Sequence, residues 1–322
     1  ETAPVPADGV HGEIAGLVSH VETLPADIFS AREVIAEAQP DVIFYPEIGM
    51  DPLAYFLAFA RLAPIQAVSY GHPVTSGIPN VDYFLSCKAA EPAVDSDAGG
   101  AYSERLVPLG GLPFSYVRPP APDPLGSRAD FGLAEDATIY FLAQNLFKIH
   151  PDMDTALRLI LERDPKGILL LLEGHDDTWG DVLRRRFAVT MGTCAARIKF
   201  LPRQSHVNFM RLLGLSDVSL DSFPFCGGNT TYQSLAMGTP VVTLPGRYLR
   251  GRVSLGIYRH MGMEELVACD AVDYAEIAVG LGRDAEFRAG IMQKIAKTCD
   301  VIFEDPVFLD DAERFLITSE PL

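Results

Sequence analysis

The sequence predicts an α/β protein of two doubly wound domains, each a parallel sheet covered by helices on both faces. Three observations predict it. Short apolar runs alternate with amphipathic stretches along most of the 322 residues. Those runs are apolar throughout, as strands buried on both faces are. Four prolines within 119–124 interrupt the alternation, and such a stretch reads as a linker.

The elements follow in order. "HVETL" (20–24) reads as a strand and "IFSAREVIAEAQ" (28–39) as an amphipathic helix. "DVIFYP" (41–46) is a buried strand, and "PLAYFLAFARLAP" (52–64) a helix with Pro52 in its first turn. "IQAVSYG" (65–71) and "DYFLSC" (82–87) are strands. After the prolines come strands at 137–143, 167–173, 196–201, 217–222, 240–244 and 265–269. Helices at 151–163, 179–191, 206–215, 230–237 and 251–261 separate them, and one long helix runs from 273 to 299. A short helix closes the chain at 308–318. The expected domains are an N-terminal lobe over 1–118, a linker over 119–130 and a C-terminal lobe over 131–300. The segment 301–322 is expected to return toward the N-terminal lobe.

Bulk composition narrows the function classes. Hydrophobic residues make up 48% and charged residues 21%, which suits a large core. The net charge of −17, from 26 basic and 43 acidic residues, argues against a nucleic-acid or anionic membrane surface. One local pocket can still oppose that field and take a phosphate. Five scattered cysteines, with no CxxC pair, point to neither a zinc site nor a disulfide framework. They fit a reducing cytoplasm. No apolar run reaches the roughly 18 residues of a membrane span. "ETAPVPADG" has neither the basic region nor the apolar core of a signal peptide, and it lacks an initiator Met, which suggests a partial or processed chain.

Ligands of doubly wound sheets sit at the carboxyl ends of strands. That rule selects the loops after 143, 173, 201, 222 and 244. In "DSFPFCGGNTT", Gly227 and Gly228 would let a backbone approach a ligand, and Asn229, Thr230 and Thr231 open a helix whose free N–H groups suit an anion. The same residues fit a plain helix start, since Thr230 with Gln233 matches a capping box. In "QNLFKIHPD", Lys148 stands past a strand end with Asn145 three residues before it. A lysine there can neutralise a diphosphate, or be an ordinary solvated loop residue. Arg203 and His206 follow the strand ending at 201, and Arg247, Arg250 and Arg252 follow the one ending at 244. In the first half, Glu47, Asp51 and His72 follow strands, and a carboxylate or imidazole there could act as a general base. No GxSxG, HExxH, GxxxxGK[ST] or GxGxxG stands where its mechanism needs it.

Three stretches carry a more specific signal: "APIQAVSYGHPVTSGIPNVDYF", "LAQNLFKIHPD" and "FLPRQSHVNFMRLLGLSDVSLDSFPFCGGNTTYQSLAMGTPVVTLPG". They resemble, in order and over most of 20–300, the catalytic region of glycosyltransferase family 41. That family includes protein O-linked N-acetylglucosamine transferases, plant O-fucosyltransferases and bacterial N-glucosyltransferases. The resemblance implies the GT-B fold, two Rossmann-like lobes facing a cleft, and inverting transfer without a metal or other cofactor. It implies a UDP-sugar donor and a protein or peptide acceptor, through Ser or Thr, or else through Asn. The shared fold also leaves open a UDP-sugar epimerase, or a nucleotide-sugar-binding module without turnover. By position, Lys148 looks like the lysine that grips the diphosphate, His206 like the histidine at the nucleotide with Arg203 on its rim, and Thr230 and Thr231 like the paired threonines of the phosphate turn. Asn229 replaces a histidine, and Ser234 replaces an acidic residue that meets the ribose. The N-terminal lobe lacks its opening strand–helix units by this comparison, leaving His72 and Glu47 as candidates for the base.

Overall fold

Among the described residues, strands from distant parts of the chain assemble into two separate sheets, and every pairing is parallel. The computed structural model describes residues 9–92 and 100–320. These divide into two units, one drawn from residues 9–87, 100–109 and 309–320, the other from Lys88–Pro92 and Gly110–Phe308. Residues 119–130, the expected linker, fall within the second unit.

The first unit carries β1 (Val42–Tyr45), β2 (Ile65–Val68), β3 (Tyr83–Cys87) and β4 (Arg105–Leu109), in spatial order β1-β2-β3-β4. Every residue of β2 and β3 is buried. The one polar side chain in β2, Gln66, is satisfied: its Nε2 donates to the Asn80 carbonyl at 2.6 Å and its Oε1 accepts the Leu62 amide at 3.1 Å. Helices α1 (Gly9–Leu17), α2 (Ile28–Ala38) and α3 (Pro52–Leu57) precede or separate these strands. Asp27 caps α2 and Asp51 caps α3 through their carboxylates.

The second unit carries β5 (Thr138–Phe141), β6 (Gly167–Leu172), β7 (Ile198–Leu201), β8 (Val218–Leu220) and β9 (Val241–Val242), in spatial order β7-β6-β5-β8-β9. The chain runs outward from β5 to β7, then returns to the other side of β5 for β8 and β9. The order therefore reverses between β5 and β8, which makes their carboxyl ends the topological switch point. Helices α4 (Met153–Arg163), α5 (Asp177–Thr190), α6 (His206–Leu215), α7 (Asn229–Ala236) and α8 (Val253–His260) connect the strands or follow them. Helices α9 (Ala271–Arg283) and α10 (Ala285–Thr298) come next. Ile139, Phe141, Leu170, Met210, Leu212 and Leu213 form part of one buried cluster in this unit. Arg128, from the proline-rich segment, donates to the Ala137 carbonyl at 2.7 Å and to Asp217 at 2.9 Å. Helix α11 (Val307–Thr318) ends in the first unit, where Tyr83 donates to the Glu320 carbonyl at 2.7 Å.

Four expectations are corrected. Residues 20–24 form no strand; they are mostly exposed, and His20 pairs with Glu22 instead of a neighbouring strand. The expected strand at 265–269 is reduced to a single bridge between Thr243 and Val267. The helix expected over 273–299 breaks at Asp284, whose carboxylate accepts the Glu286 and Phe287 amides at 3.0 and 2.9 Å and starts α10 afresh. Strand β4 was not expected, because "RLVPL" opens on a charge and contains Pro108; at a sheet edge a proline is tolerated.

Candidate functional site

The switch point brings the loops after β5 and β8 side by side. Asp221 directly follows β8 and is 1% exposed. Its carboxylate is held by three donors: the Gly227 amide at 2.6 Å, the Thr243 hydroxyl at 2.8 Å, and the Ser254 side chain. Burial pushes its pKa up, while those donors and Lys148 act the other way. The Cys226 amide donates to the Arg250 carbonyl at 2.9 Å, which pins the turn to the loop after β9. Gly227 is required by space: an added Cβ would lie 2.5 Å from Thr230 Oγ1 and 2.6 Å from Gln144 Nε2.

Helix α7 begins just beyond. Gly228 is its N-cap, with no side-chain cap. The Thr231 and Tyr232 amides both reach back to the Gly228 carbonyl. Among the described residues, the amides of Gly228, Asn229 and Thr230 have no acceptor. The expected capping box is absent, because Thr230 lies inside the helix and its hydroxyl accepts from Gln144 Nε2 at 2.6 Å. A Cβ on Gly228 would meet nothing within 4 Å, and Asn229 is exposed. Three unpaired amides beside open space are the groups an anion takes up.

Lys148 comes from the β5 side, at the end of a tight turn over Leu146–Lys148. Its Nζ stands 4.4 Å from the centroid of the Phe225 ring, a residue of the β8 turn. Among the described residues it forms no ion pair. Burial lowers its pKa, and Cys226 and Asp221 partly oppose that. Burial also pushes the Cys226 thiol up to about 12, so it stays neutral at physiological pH. The local charge is a half-buried ammonium with a buried carboxylate behind it.

The structure thus gathers Lys148, Gly227, Gly228, Asn229 and Thr230 at one place, with Asn145 exposed in the same β5 loop. Two predicted residues turn inward. Thr231 is buried and its Oγ1 lies 2.9 Å from Ser254 Oγ. Ser234 is buried, donating to the Thr230 carbonyl at 2.8 Å, with its Oγ 3.0 Å from Ser219 Oγ. Arg203 and His206 are exposed beyond β7 at the same sheet end, with Arg203 Nη1 3.3 Å from His175 Nδ1. Arg252 is engaged structurally, donating to the Ala90 and Gly246 carbonyls at 2.7 and 3.1 Å. Arg247 and Arg250 flank the Tyr248 ring.

Glu47 and His72 lie in the first unit, on the loops after β1 and β2. Gly49 takes φ +85°, and a Cβ there would come within 2.9 Å of His72 Cδ2, so the imidazole rests on that turn. Asp51 accepts the Ala54 amide at 2.7 Å as a helix cap. Sequence reasoning missed Asp221, Gln144 and Phe225. The sequence marks Asp221 only as an acid directly after a short strand.

The model of Glycosyl transferase family 41 matches residues 118–306. The chain belongs to glycosyl transferase family 41. It is 35% identical over 195 residues to a UDP-N-acetylglucosamine--peptide N-acetylglucosaminyltransferase of Caenorhabditis elegans, covering 60% of this chain and 17% of that one. It is 30% identical over 251 residues to the probable UDP-N-acetylglucosamine--peptide N-acetylglucosaminyltransferase SPINDLY of Solanum lycopersicum, covering 74% of this chain and 26% of that one. The chain thus spans about a quarter or less of the length of these relatives. Among solved structures, a mutant of the Thermobaculum terrenum O-GlcNAc transferase matches with a TM-score of 0.82 at 24% identity, over 97% of this chain and 59% of that one. That likeness speaks for the fold: two parallel α/β units of the GT-B class. The matched region in family 41 contains the whole Lys148–Asp221–α7 constellation.

Proposed function

We propose that this chain forms a sugar-nucleotide-binding and transfer region, moving N-acetylglucosamine from a UDP-sugar to a Ser or Thr hydroxyl of a protein or peptide acceptor with inversion. The observation that carries the reading is the set of three unpaired amides at the start of α7, beside an ammonium without an ion-pair partner among the described residues. The names of the relatives give the donor and acceptor classes.

In this reading the diphosphate lies against the Gly228, Asn229 and Thr230 amides, with Lys148 over it. As the bond from the anomeric carbon to UDP breaks, negative charge grows on the leaving phosphate. Fixed amide dipoles and the half-buried Lys148 stabilise that charge more than the ground state, which lowers the barrier. His206 and Arg203 attend the nucleotide from the β7 side, with Asn145 beside Lys148. Gly227 holds the turn close; Thr231 and Ser234 brace α7 from within. The acceptor hydroxyl attacks the opposite face of the sugar and loses its proton to a base that is not assigned; His72 and Glu47 are the residues the sequence offers for testing. The reading places the protein in the cytoplasm, in keeping with five free cysteines. Among the described residues, no helix is long and apolar enough to cross a membrane.

Titration calorimetry with UDP tests the donor site: wild type binds, and Lys148→Ala weakens binding. Mass spectrometry of peptides incubated with UDP-N-acetylglucosamine then reads the acceptor residue. Modification of Asn alone, or conversion of the free UDP-sugar without acceptor, would replace the reading with N-transfer or epimerisation.

A further inference from the structure

Asp221 is the most enclosed charge-bearing group near the site, and nothing in the transfer chemistry above uses it. It lies behind the turn rather than on the open side. Its two oxygens receive different elements: Oδ1 takes the Gly227 amide, and Oδ2 takes Thr243, next to β9. Ser254, near the start of α8, hydrogen-bonds the same carboxylate and also Thr231 inside α7. Through its carbonyl, Asp221 receives the Tyr274 hydroxyl of α9 at 2.8 Å. Its ionisable neighbours are Lys148, Cys226, Tyr258 and Tyr274.

The Gly227 amide immediately precedes the three unpaired ones. Were Gly227 N–H free, the 226–227 peptide could rotate and carry Gly228 with it. A carboxylate at 2.6 Å fixes that plane, in a site sealed from competing water. We propose that Asp221 is a positioning residue for diphosphate binding: by clamping the Gly227 amide it presets the Gly228–Thr230 amides for the phosphates. The proposal rests on the sugar-nucleotide reading of this turn. It adds that the affinity due to the phosphates depends on a residue that touches no ligand.

The test compares UDP, by calorimetry, with uridine, by ligand-observed NMR, on wild type, Lys148→Ala, Asp221→Asn and Thr243→Val. Asparagine keeps the shape and one acceptor but loses the charge-assisted clamp. Asp221→Asn is expected to weaken UDP binding about tenfold and leave uridine within about twofold, so the UDP-to-uridine ratio falls. A purely structural role would lower the melting temperature and leave that ratio unchanged, which overturns the proposal. Should Asp221→Asn not fold, Thr243→Val removes one support of the carboxylate without removing the carboxylate itself. An approximately threefold fall in the ratio then supports the proposal, and no fall overturns it. A wild type that does not bind UDP overturns the site reading itself. UDP binding that depends on Lys148 but not on Asp221 or Thr243 overturns only this inference.

Discussion

Lys148 shows how a single side chain is tuned by its surroundings. Burial disfavours its charged form, so its pKa lies below the ordinary lysine value, although Cys226 and Asp221 hold it partly up. The protonated form is the one that attracts a diphosphate. UDP affinity should therefore be full at neutral pH and fall as pH rises through that lowered pKa, sooner than for an exposed lysine. Calorimetry across the alkaline range checks this, and Lys148→Arg should flatten the decline. Lys148→Ala should cost at least about tenfold in UDP affinity, since a hydrogen bond to a charged group contributes about 1.5–3 kcal/mol. Gly227→Ala places a Cβ within 2.5 Å of Thr230 Oγ1. It should cost about 1–3 kcal/mol of stability, as overpacking does, and weaken UDP binding as well. Chemical denaturation and calorimetry on the same sample would measure both.

Elements carry a different kind of information. Helix α7 has a glycine N-cap and leaves its first amides bare, whereas α2, α3, α6, α9 and α10 each begin with an Asp or Ser side chain accepting a backbone amide. Giving α7 such a cap should close its open amides: Gly228→Asp is expected to weaken UDP binding by competition and charge repulsion, read by the same titration. Asp284 is the counter-example, a cap with a structural role. Its carboxylate accepts two amides of α10 and so divides one amphipathic stretch into two helices. Asp284→Ala should lower stability by about 1 kcal/mol, seen as a lower denaturation midpoint, and leave UDP affinity unchanged.

For the whole molecule, a net charge of −17 repels an anionic ligand at long range, and only close groups can offset it. Salt screens the exposed charges more than the half-buried Lys148. Raising ionic strength should thus change UDP affinity by less than about threefold over the range that screens exposed pairs. The proposed leaving-group stabilisation by Lys148 and backbone amides also predicts that the proposed transfer survives a chelator such as EDTA; a complete loss of turnover would assign that role to a metal ion instead. The chain order β7-β6-β5-β8-β9 explains why residues far apart in sequence meet. Strands β5 and β8 are neighbours, so Lys148 and Phe225, from the loops that follow them, come into contact.

The sequence by itself determined the α/β class, the positions of most strands and helices, and the cluster around Lys148 and "CGGNTT". Apolar runs, proline and glycine are local signals, and family 41 motifs are contiguous, so both can be read along the chain. Pairing and side-chain direction are not local. Residues 20–24 have a plausible strand composition and no partner strand, and "RLVPL" has a poor one and a place at a sheet edge. Thr230 and Thr231 are adjacent letters, yet one receives Gln144 at the site and the other packs inside against Ser254. Asp221 looks like any acid after a strand until three donors from separate elements close around it. Only the tertiary structure decided these, because burial and hydrogen-bond partners are set by which elements come to lie beside one another.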